Sequence, residues 1–378
     1  MTNKPRFVGE TVCLGEVCKV VHGKNQKQVV DPDGKYPIYG SGGIMGRAND
    51  YICPGETTII GRKGTINKPI YVEEPFWNVD TAFGLVSNKE SLLPRYLYHF
   101  CRYFNFGALS TTSAIPSLTS KNIERIKLRL PDVDEQEVMV QNLDACLHQI
   151  KMCQQSLDNF DELIKSRFVE MFGDPESNVH GFCLCKLGDA LSVQPSNGLY
   201  KPQKDYVTDG SGCPIVRIDS FRAEGPDFKR LKRLKCTDVE LKRYGLVEND
   251  IIINRVNSVG CMGKTMLVAN IPEPVVFESN MMRLHAAETI MLPAFLCAQM
   301  TNAYSKNYFE SNAKRAIGQA SINQTDVKNL PVLLPSIELQ DEYLSFVQQV
   351  DKLKFIAHQQ IEKLQELYDS LAQEYFGA

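Results

Sequence analysis

Two stretches of the chain repeat apolar residues at alternating spacings of four and three. In the first stretch the apolar positions are Met139, Leu143, Cys146, Ile150, Cys153, Leu157, Phe160 and Ile164. In the second they are Tyr343, Val347, Val350, Ala357, Ile361, Leu364, Tyr368, Leu371 and Tyr375, with Lys354 as the one interruption. Such sustained spacing predicts two long helices that share a coiled-coil seam, rather than helices packed on a broad core.

Both predicted helices have ordinary helix ends. Each begins just after a proline, Pro131 or Pro335, and has acidic residues in its first turn. Gly173 and Gly377 lie where a C-cap glycine is expected. At a rise of 1.5 Å per residue, about 39 residues give a length of roughly 58 Å. The sequence therefore predicts two rod-like spacers.

The chain also repeats itself. A shift of 204 residues places residues 116–136 on 320–340, and the register then holds without a gap to Gly173 and Gly377. Matched pairs include Leu130/Leu334, Pro131/Pro335, Gln136/Gln340 and Phe172/Phe376. A weaker match at a shift of 173 pairs residues 14–16 with 187–189, so the second copy is about 31 residues longer. This predicts two copies of one domain–helix unit.

The regions outside the helices have the pattern of mixed α and β structure. Short β-branched runs bounded by glycine, asparagine or proline predict strands at residues 57–62, 69–72, 251–255 and 264–268. Helix-like segments follow at 94–104 and 293–308. We therefore predict an α+β protein with domains at 1–131 and 175–335 and spacer helices at 132–174 and 336–378.

The two copies suggest how the helices pair. If a pseudo-two-fold axis relates the copies, the helices form an antiparallel coiled coil within one chain. A dimerisation coiled coil between chains, or pairing with a partner's helix, remains an alternative. The predicted seam consists of Leu143, Ile150, Leu157, Phe160, Ile164, Val347, Val350, Ile361, Leu364 and Leu371.

Composition narrows the class of protein. Of 378 residues, 43% are hydrophobic and 23% are charged, which is typical of a globular protein. No run approaches the roughly 18 apolar residues that a membrane span needs, and residues 1–7 lack the apolar core of a signal peptide. We expect a cytoplasmic protein with no membrane contact. The 12 cysteines form no Cys-x-x-Cys pair, which favours reduced thiols over disulfides or zinc ligands.

Charge is unevenly distributed along the chain. The overall net charge is −3, but residues 1–131 carry +6 and residues 175–335 carry +3. The predicted helices carry −7 and −5. Because local charge rather than total charge meets a polyanion, the two basic blocks are compatible with nucleic-acid binding.

The sequence has no complete catalytic or nucleotide-binding motif. A dinucleotide fingerprint that starts at Gly40 requires glycine where Met45 stands. A phosphate-binding loop that ends at Thr265 requires glycine where Ser258 stands. Asp132 and Glu135 follow a proline in nuclease-like order, but acidic residues are ordinary at a helix start. The sequence therefore predicts no metal site and no catalytic centre.

The basic blocks instead offer side chains suited to DNA. In both blocks an arginine, Arg62 or Arg255, stands at the end of a predicted strand. Glycines allow close approach of the backbone to phosphates, while arginine, lysine and asparagine supply charge and base-edge hydrogen bonds. The extra residues of the second block include the basic run at 228–235, which could equally be a solvated surface. The candidate DNA-binding residues are Lys24, Ser41, Arg47, Arg62, Lys63, Thr65, Lys68, Arg230, Arg255, Asn257, Ser258 and Lys264.

These same segments resemble a known family. Residues 36–86, from YPIYGSGGIMGRANDYI to NVDTAFGLV, resemble a target recognition domain of type I restriction–modification specificity subunits. The segment YGLVENDIIINRVNSVGCMGKTMLV, with ASINQTDVKNLPVLLPSIELQ further on, resembles a second such domain. The resemblance covers nearly the whole chain, including the tandem order of domains and helices.

The resemblance implies a function and a set of partners. In this family each recognition domain binds one half of a bipartite, asymmetric sequence of double-stranded DNA, and the paired helices set the gap between the halves. The subunit has no catalytic activity and holds no cofactor. Two methylation (M) subunits that carry S-adenosylmethionine dock on it, and restriction (R) subunits, which use ATP and Mg²⁺, complete the complex.

Two other functions remain as alternatives. A standalone sequence-specific DNA-binding protein would need no methylation subunit, and a coiled-coil scaffold would bind no DNA.

Overall fold

The computed structural model describes residues 9–109, 117–220, 226–257, 262–316 and 319–377. The chain divides into two compact units. The first comprises residues 1–157 and 355–378, and the second comprises residues 158–354. Each unit therefore contains one part of each long helix. None of the helices among the described residues is long and apolar enough to cross a membrane.

The first unit opens with a series of short strands and closes with helices. The strands are β1 (Glu10–Cys13), β2 (Cys18–His22), β3 (Tyr36–Gly40), β4 (Gly43–Ala48), β5 (Thr57–Gly61), β6 (Ile70–Val72), β7 (Trp77–Asn78), β8 (Ala82–Ser87) and β9 (Lys127–Leu130). The helices are α1 (Leu14–Val17), α2 (Pro94–Tyr103), α3 (Ser120–Glu124) and the start of α4 (Val133–Phe172).

The second unit has more strands and a further pair of helices. Its strands are β10 (Cys183–Lys186), β11 (Leu191–Asn197), β12 (Tyr206–Val207), β13 (Cys213–Val216), β14 (Lys232–Leu234), β15 (Asp250–Asn254), β16 (Val256–Asn257), β17 (Thr265–Leu267), β18 (Val276–Phe277), β19 (Met281–Ala286), β20 (Lys314–Ala316), β21 (Gln319–Ser321) and β22 (Pro331–Leu334). Its helices are α5 (Asp238–Tyr244), α6 (Pro293–Thr301), α7 (Ala303–Asn312), α8 (Gln324–Lys328) and the start of α9 (Ile337–Phe376).

The two units have the same sheet topology. One sheet has the order β2-β8-β5-β6 in the first unit and β11-β19-β15-β17 in the second. A parallel pair, β3 with β7 or β13 with β18, lies in another sheet of each unit. The N–H of Leu14 donates to the carbonyl of Ile126 and that of Leu187 to the carbonyl of Leu330, both at 2.8 Å. The duplication predicted from the sequence is thus seen in the fold.

The central strands β5 and β15 explain where each core lies. All five residues of each strand are buried, as expected of β-branched runs covered on both faces. In the first unit Ile60 packs in one cluster with Leu85 and Phe100 of α2. In the second, Ile251 packs with Leu284 and Phe295 of α6. Each strand is therefore held rigidly up to its last residue.

The extra length of the second unit lies mainly around one strand pair. The turn between β3 and β4 has two residues, whereas residues 217–231 separate β13 from β14. Helix α5 follows β14, with a capping box in which Thr237 and Glu240 bond each other's backbone N–H groups. The basic run at 228–235 forms a 3₁₀ turn at Phe228–Arg230 and then β14.

The long helices α4 and α9 pair within each unit and run in opposite directions. In the first unit Asn142 Nδ2 donates to Tyr375 Oη at 3.0 Å, and Cys153 Sγ lies 3.7 Å from Gln360 Oε1. In the second unit Arg167 bonds Glu342 at 3.4 Å. The predicted seam residues are all buried or half-buried in their units: Leu143, Leu157 and Val350 are buried, and Ile150, Phe160, Ile164, Val347, Ile361, Leu364 and Leu371 are half-buried.

Lys354, which interrupts the predicted seam, has a partner in the second unit. Its ammonium contacts the carboxylate of Asp161 on α4 and lies 3.9 Å from that of Asp351. The long methylene stem of a lysine can cover apolar surface while its charge reaches a carboxylate. The interruption is thus accommodated without a break in α9.

One predicted helix is wrong in its extent. The segment 293–308 is not continuous, because α6 ends at Thr301 and α7 begins at Ala303. Asn302, between them, has an extended backbone, and its side chain accepts a hydrogen bond from the N–H of Ser305 at 2.8 Å. Asparagine competes with the helix in this way because its side chain can cap a new helix start.

Candidate nucleic-acid interface

The loop after β5 presents Arg62 and Lys63 to solvent in the first unit. The backbone of Arg62 is fixed on both sides: its N–H donates to Thr81 at 2.8 Å and its carbonyl accepts from Leu118 at 3.0 Å. A Cβ atom on Gly61 would lie 2.0 Å from the carbonyl oxygen of Thr65, so the loop is too tight for any other residue there. The exposed side chains of Arg62 and Lys63 thus project from a rigid backbone.

Two further candidates lie at the same end of the strands. A Cβ on Gly61 would be 3.1 Å from the Cβ of Ser41, which places the β3–β4 turn beside this loop. The N–H of Lys24 donates to Asn78 at 2.8 Å, and Asn78 pairs with Tyr39 at the end of β3.

The structure therefore brings together five candidates, which we call the first loop cluster: Lys24, Ser41, Arg62, Lys63 and Thr65. Asp80, in the turn before β8, is an exposed acidic neighbour of this cluster.

Arg47 does not join the first loop cluster. It stands near the end of β4, opposite Pro37, whereas the turn joins the strands at their other ends. Arg47 lies four positions along the strand from Gly43, or about 13 Å away. Its guanidinium donates to the carbonyls of Gly34 at 2.6 Å and Lys35 at 2.8 Å, so it holds a neighbouring loop. Lys68 is exposed just before β6.

The equivalent arginine of the second unit, Arg255, has different surroundings. Arg255 follows β15 as Arg62 follows β5, and its N–H donates to Asn280 at 2.9 Å. Its side chain is half-buried, and Nη1 donates to the carbonyl of Ser279 at 3.1 Å. Asn254 occupies the position of Gly61 and is buried, and within the described part of the chain neither Oδ1 nor Nδ2 of its side chain has a hydrogen-bond partner.

The remaining candidates of the second unit differ in exposure and in the contacts that they make. Lys264 is exposed, and its carbonyl accepts from the N–H of Asn254 at 2.9 Å. Asn257 lies half-buried in β16. Arg230 is exposed, with Nε 3.5 Å from a carboxylate oxygen of Asp227. Ser258 lies outside the described residues.

One cation of the basic run has a structural role. Arg233 bonds both carboxylate oxygens of Glu273 at 2.7 Å, and Nη2 also donates to the carbonyl of Gly212 at 2.7 Å. The hydrogen bond from Arg233 lowers the pKa of Glu273. A guanidinium engaged in this way is a poorer phosphate ligand than its charge suggests.

The sequence-based candidates omitted exposed apolar groups at these strand ends. Ile44 and Met45 follow the β3–β4 turn beside the first loop cluster, and Tyr200 stands at the corresponding end of the second unit. Large apolar residues within glycine-rich or polar segments are the sequence feature that could have identified them. They were missed because the candidates were chosen for charge and hydrogen bonding.

A family model covers most of the chain. Residues 9–159 and 185–366 match the model described as the type I restriction modification DNA specificity domain. The two matched segments each include one set of strands and most of one long helix.

Curated relatives carry the same description. The StySPI specificity subunit of Salmonella potsdam is 25% identical over 307 residues, which are 77% of this chain and 65% of that protein. The EcoKI specificity subunit of Escherichia coli is 24% identical over 313 residues, 77% of this chain and 66% of that protein. This chain thus spans just under two thirds of the length of these two relatives.

Two solved structures share the fold. The S subunit of a type I restriction–modification system from M. genitalium has a TM-score of 0.52 and 12% identity, over 100% of this chain and 98% of that one. A chain from a structural study of complex assembly and conformational transition in the type I R-M system has a TM-score of 0.62 and 16% identity, over 100% of both chains. At these identities the likeness concerns the fold.

Proposed function

This chain belongs to the type I restriction modification DNA specificity family, and from that membership we propose that it is the DNA specificity subunit of a type I restriction–modification complex. The observation that carries the proposal is the duplicated unit with an arginine at the same strand end in both copies. Arg62 and Arg255 each follow the buried central strand of their sheet, where the backbone is held by hydrogen bonds on both sides. A rigid backbone that presents an arginine suits recognition of base edges.

The two units are proposed to recognise different half-sites. In the first unit the arginine is exposed and is accompanied by Lys63 and Lys24. In the second it is half-buried, with Asn254 in place of the glycine. Different donors at equivalent positions favour different base sequences. We therefore expect a bipartite and asymmetric site rather than a palindrome.

The long helices are proposed to set the spacing between half-sites and to hold methylation subunits. The relatives bear the name specificity subunit of type I restriction enzymes, which supports a role inside a larger complex. We propose that the chain itself is non-catalytic. S-adenosylmethionine, Mg²⁺ and ATP are proposed to act on the methylation and restriction subunits, with double-stranded DNA as the shared substrate.

The experiment that tests this function is a map of methylated adenines in the host genome, with and without this chain. The expected motif has two short fixed blocks separated by a constant gap. We also expect the chain to co-purify with a methylation subunit. A genome with no methylation that depends on this chain, or a motif without a gap, would refute the proposal.

Substitution of the two arginines tests the assignment of half-sites. In the complex with methylation subunits, Arg62→Ala should relax discrimination in one half-site and Arg255→Ala in the other. Each lost base contact is expected to cost about 1–3 kcal/mol. Lys89→Ala is a matched control, because Lys89 is an exposed cation of the first unit beyond the opposite end of β8, paired with Glu56. Loss of both half-sites from either arginine variant would contradict independent recognition.

Affinity for DNA should depend on assembly. The basic blocks carry net charges of only +6 and +3, so each supplies few phosphate contacts. We expect weak binding by the isolated chain and tight binding in the complex. Nanomolar binding by the chain alone at physiological salt would contradict this expectation.

A further inference from the structure

Two large apolar side chains stand exposed at the tip of the β3–β4 hairpin. Ile44 is 66% exposed and Met45 is 63% exposed. Single exposed apolar residues are common on protein surfaces. An adjacent pair on β4, the edge strand of a three-stranded sheet, with no part in the core of its unit, indicates a binding function.

The hairpin tip shares its position with the cations of the first loop cluster. Ser41 of the turn lies against Gly61, directly before Arg62 and Lys63. A Cβ on Gly40 would lie 2.6 Å from Met45 Sδ, so the Met45 side chain crosses the end of β3. Lys24 reaches the same end through Asn78. Asp80 is the exposed acidic residue of the adjoining turn, so cations predominate around the apolar pair.

The second unit also has an exposed apolar group near its arginine, but at a different position from Ile44 and Met45. The N–H of Leu199 donates to Phe277 as that of Lys24 donates to Asn78, both at 2.8 Å, so Tyr200 corresponds to Asn25. Tyr200 is 77% exposed. The N–H of Ser279 donates to Leu199 at 3.0 Å, and the carbonyl of Ser279 accepts from Arg255. In both units, therefore, a large exposed apolar group lies close to the arginine.

We propose that Ile44 and Met45 contact thymine 5-methyl groups in the half-site bound by the first unit, and so help to determine its sequence. This inference rests on the proposed function. The β3–β4 hairpin forms the edge of its sheet. An edge of this kind can face the major groove, where the thymine methyl is the apolar feature that marks a base pair. Surrounding cations favour a polyanionic duplex over a protein surface as the occupant. Arg62 and Lys63 anchor the duplex, and the apolar tip tests which base is present.

The test compares the variant Ile44→Ser/Met45→Gln with wild type in the complex with methylation subunits. The probes are a duplex that contains the mapped site, an unrelated duplex, and site duplexes with deoxyuridine for thymine at single positions of the first half-site. Val30→Ser is the control, since Val30 is 53% exposed in the same unit and bridges to Ala48 beside Arg47. Both changes replace exposed side chains, and thermal melting should show wild-type stability.

We expect the variant to bind the site duplex about ten-fold more weakly than wild type and to bind the unrelated duplex with the same affinity as wild type. Deoxyuridine should weaken wild-type binding at one or more thymines and leave the variant unaffected there. The dependence of affinity on salt should stay as in wild type, because no phosphate contact is removed. Lys63→Ala should instead reduce the salt slope by about 1.

Several outcomes would overturn the inference. The variant could bind the site duplex with unchanged affinity, or lose the same affinity for both duplexes. Wild-type binding could be insensitive to deoxyuridine at every thymine of the first half-site. The variant could also fail to assemble with methylation subunits. The last would identify the tip as a protein contact. If the wild-type complex prefers no sequence, the proposed function fails. If it prefers its site and the variant matches it, this inference alone fails.

Discussion

Helices α2 and α6 occupy equivalent places in the two units and both contact the long helices through aromatic rings, but in the first unit a polar network is added. In the first unit the guanidinium of Arg95 bonds Asp144 of α4. The buried His99 lies between Asp144, 2.9 Å from Nε2, and the Tyr368 hydroxyl, 3.0 Å from Nδ1. Arg102 also donates to that hydroxyl at 3.1 Å. These charged and polar groups form one network.

The first unit also has an aromatic contact. Tyr96 and Phe100 of α2 pack against Phe376 of α9, with ring centroids 5.2 Å and 5.8 Å apart.

In the second unit an aromatic cluster also joins α6 to the long helices, and the described residues there show no counterpart of that polar network. Phe295 of α6 packs against Phe172 with ring centroids 4.8 Å apart and against Phe168 at 5.8 Å. Tyr343 of α9 meets Phe172 edge-on at 5.6 Å. The comparison teaches that the repeated backbone keeps an aromatic joint in both units and accepts an added polar network in the first. The requirement common to both is that buried groups are matched to their partners.

One buried side chain is retained in both units. Gln136 accepts from the N–H of Leu93 at 2.9 Å and donates to the carbonyls of Ser91 and Pro131. Gln340 makes the same three bonds, with Leu292, Ile290 and Pro335. Each glutamine ties the first turn of a long helix to the start of α2 or α6. The sequence match of Gln136 with Gln340 thus reflects a structural role.

The largest expected effect is on the aromatic joint. Phe172→Ala removes a fully buried ring that contacts Phe168, Phe295 and Tyr343. The cavity and the lost burial should lower the free energy of unfolding of the second unit by about 3–5 kcal/mol. Chemical denaturation followed by hydrogen exchange in α6 would measure it. An unchanged midpoint would show that the aromatic cluster is not what holds α6 in place.

The glutamines sharpen the comparison because both units should respond alike. Gln136→Leu and Gln340→Leu each leave a buried backbone N–H and two carbonyls without their partner. We expect each change to cost about 1–3 kcal/mol of unfolding free energy. Denaturation of the two variants side by side is the measurement. A large cost in one unit and none in the other would contradict an equivalent role.

Acidification should produce a smaller effect, confined to the first unit. Burial lowers the pKa of His99, although its hydrogen bond to the Asp144 carboxylate opposes this, and nearby Arg95 and Arg102 add to the lowering. The unfolded chain therefore takes up the proton first as pH falls through about 6.5. Stability contributed by neutral His99 is present above that pH and decreases below it.

The neighbouring groups do not cancel this trend. Burial alone would raise the pKa of Asp144, but hydrogen bonds from His99 and Arg95 leave it lowered, so its contribution is lost only at more acidic pH. Burial raises the pKa of Tyr343, in the aromatic joint, to about 12. From pH 7.5 to 5.5, hydrogen exchange corrected for intrinsic rates should lose protection in α2 and not in α6. Equal losses in both helices would contradict the assignment to His99.

The sequence by itself determined the elements, the duplication and the family. Four-three spacing of apolar residues predicted the long helices, and β-branched runs predicted strands that became β5, β6, β15 and β17. The α+β class and the family resemblance are confirmed. The DNA-contact roles of individual residues stay predictions. The spacing of apolar residues is enough to predict helices and strands, because each buries one face and the residues of that face recur about every 3.6 positions in a helix and every two in a strand.

Only the tertiary structure decided which side chains meet. Arg62 and Arg47 are both cations near glycines in the sequence, yet Arg62 joins Lys24 and Lys63 while Arg47 bonds the carbonyls of a loop at the hairpin's other end. The contact of His99 with Tyr368 joins positions 269 residues apart. Such neighbours depend on how strands and helices pack, and no short-range pattern encodes that packing.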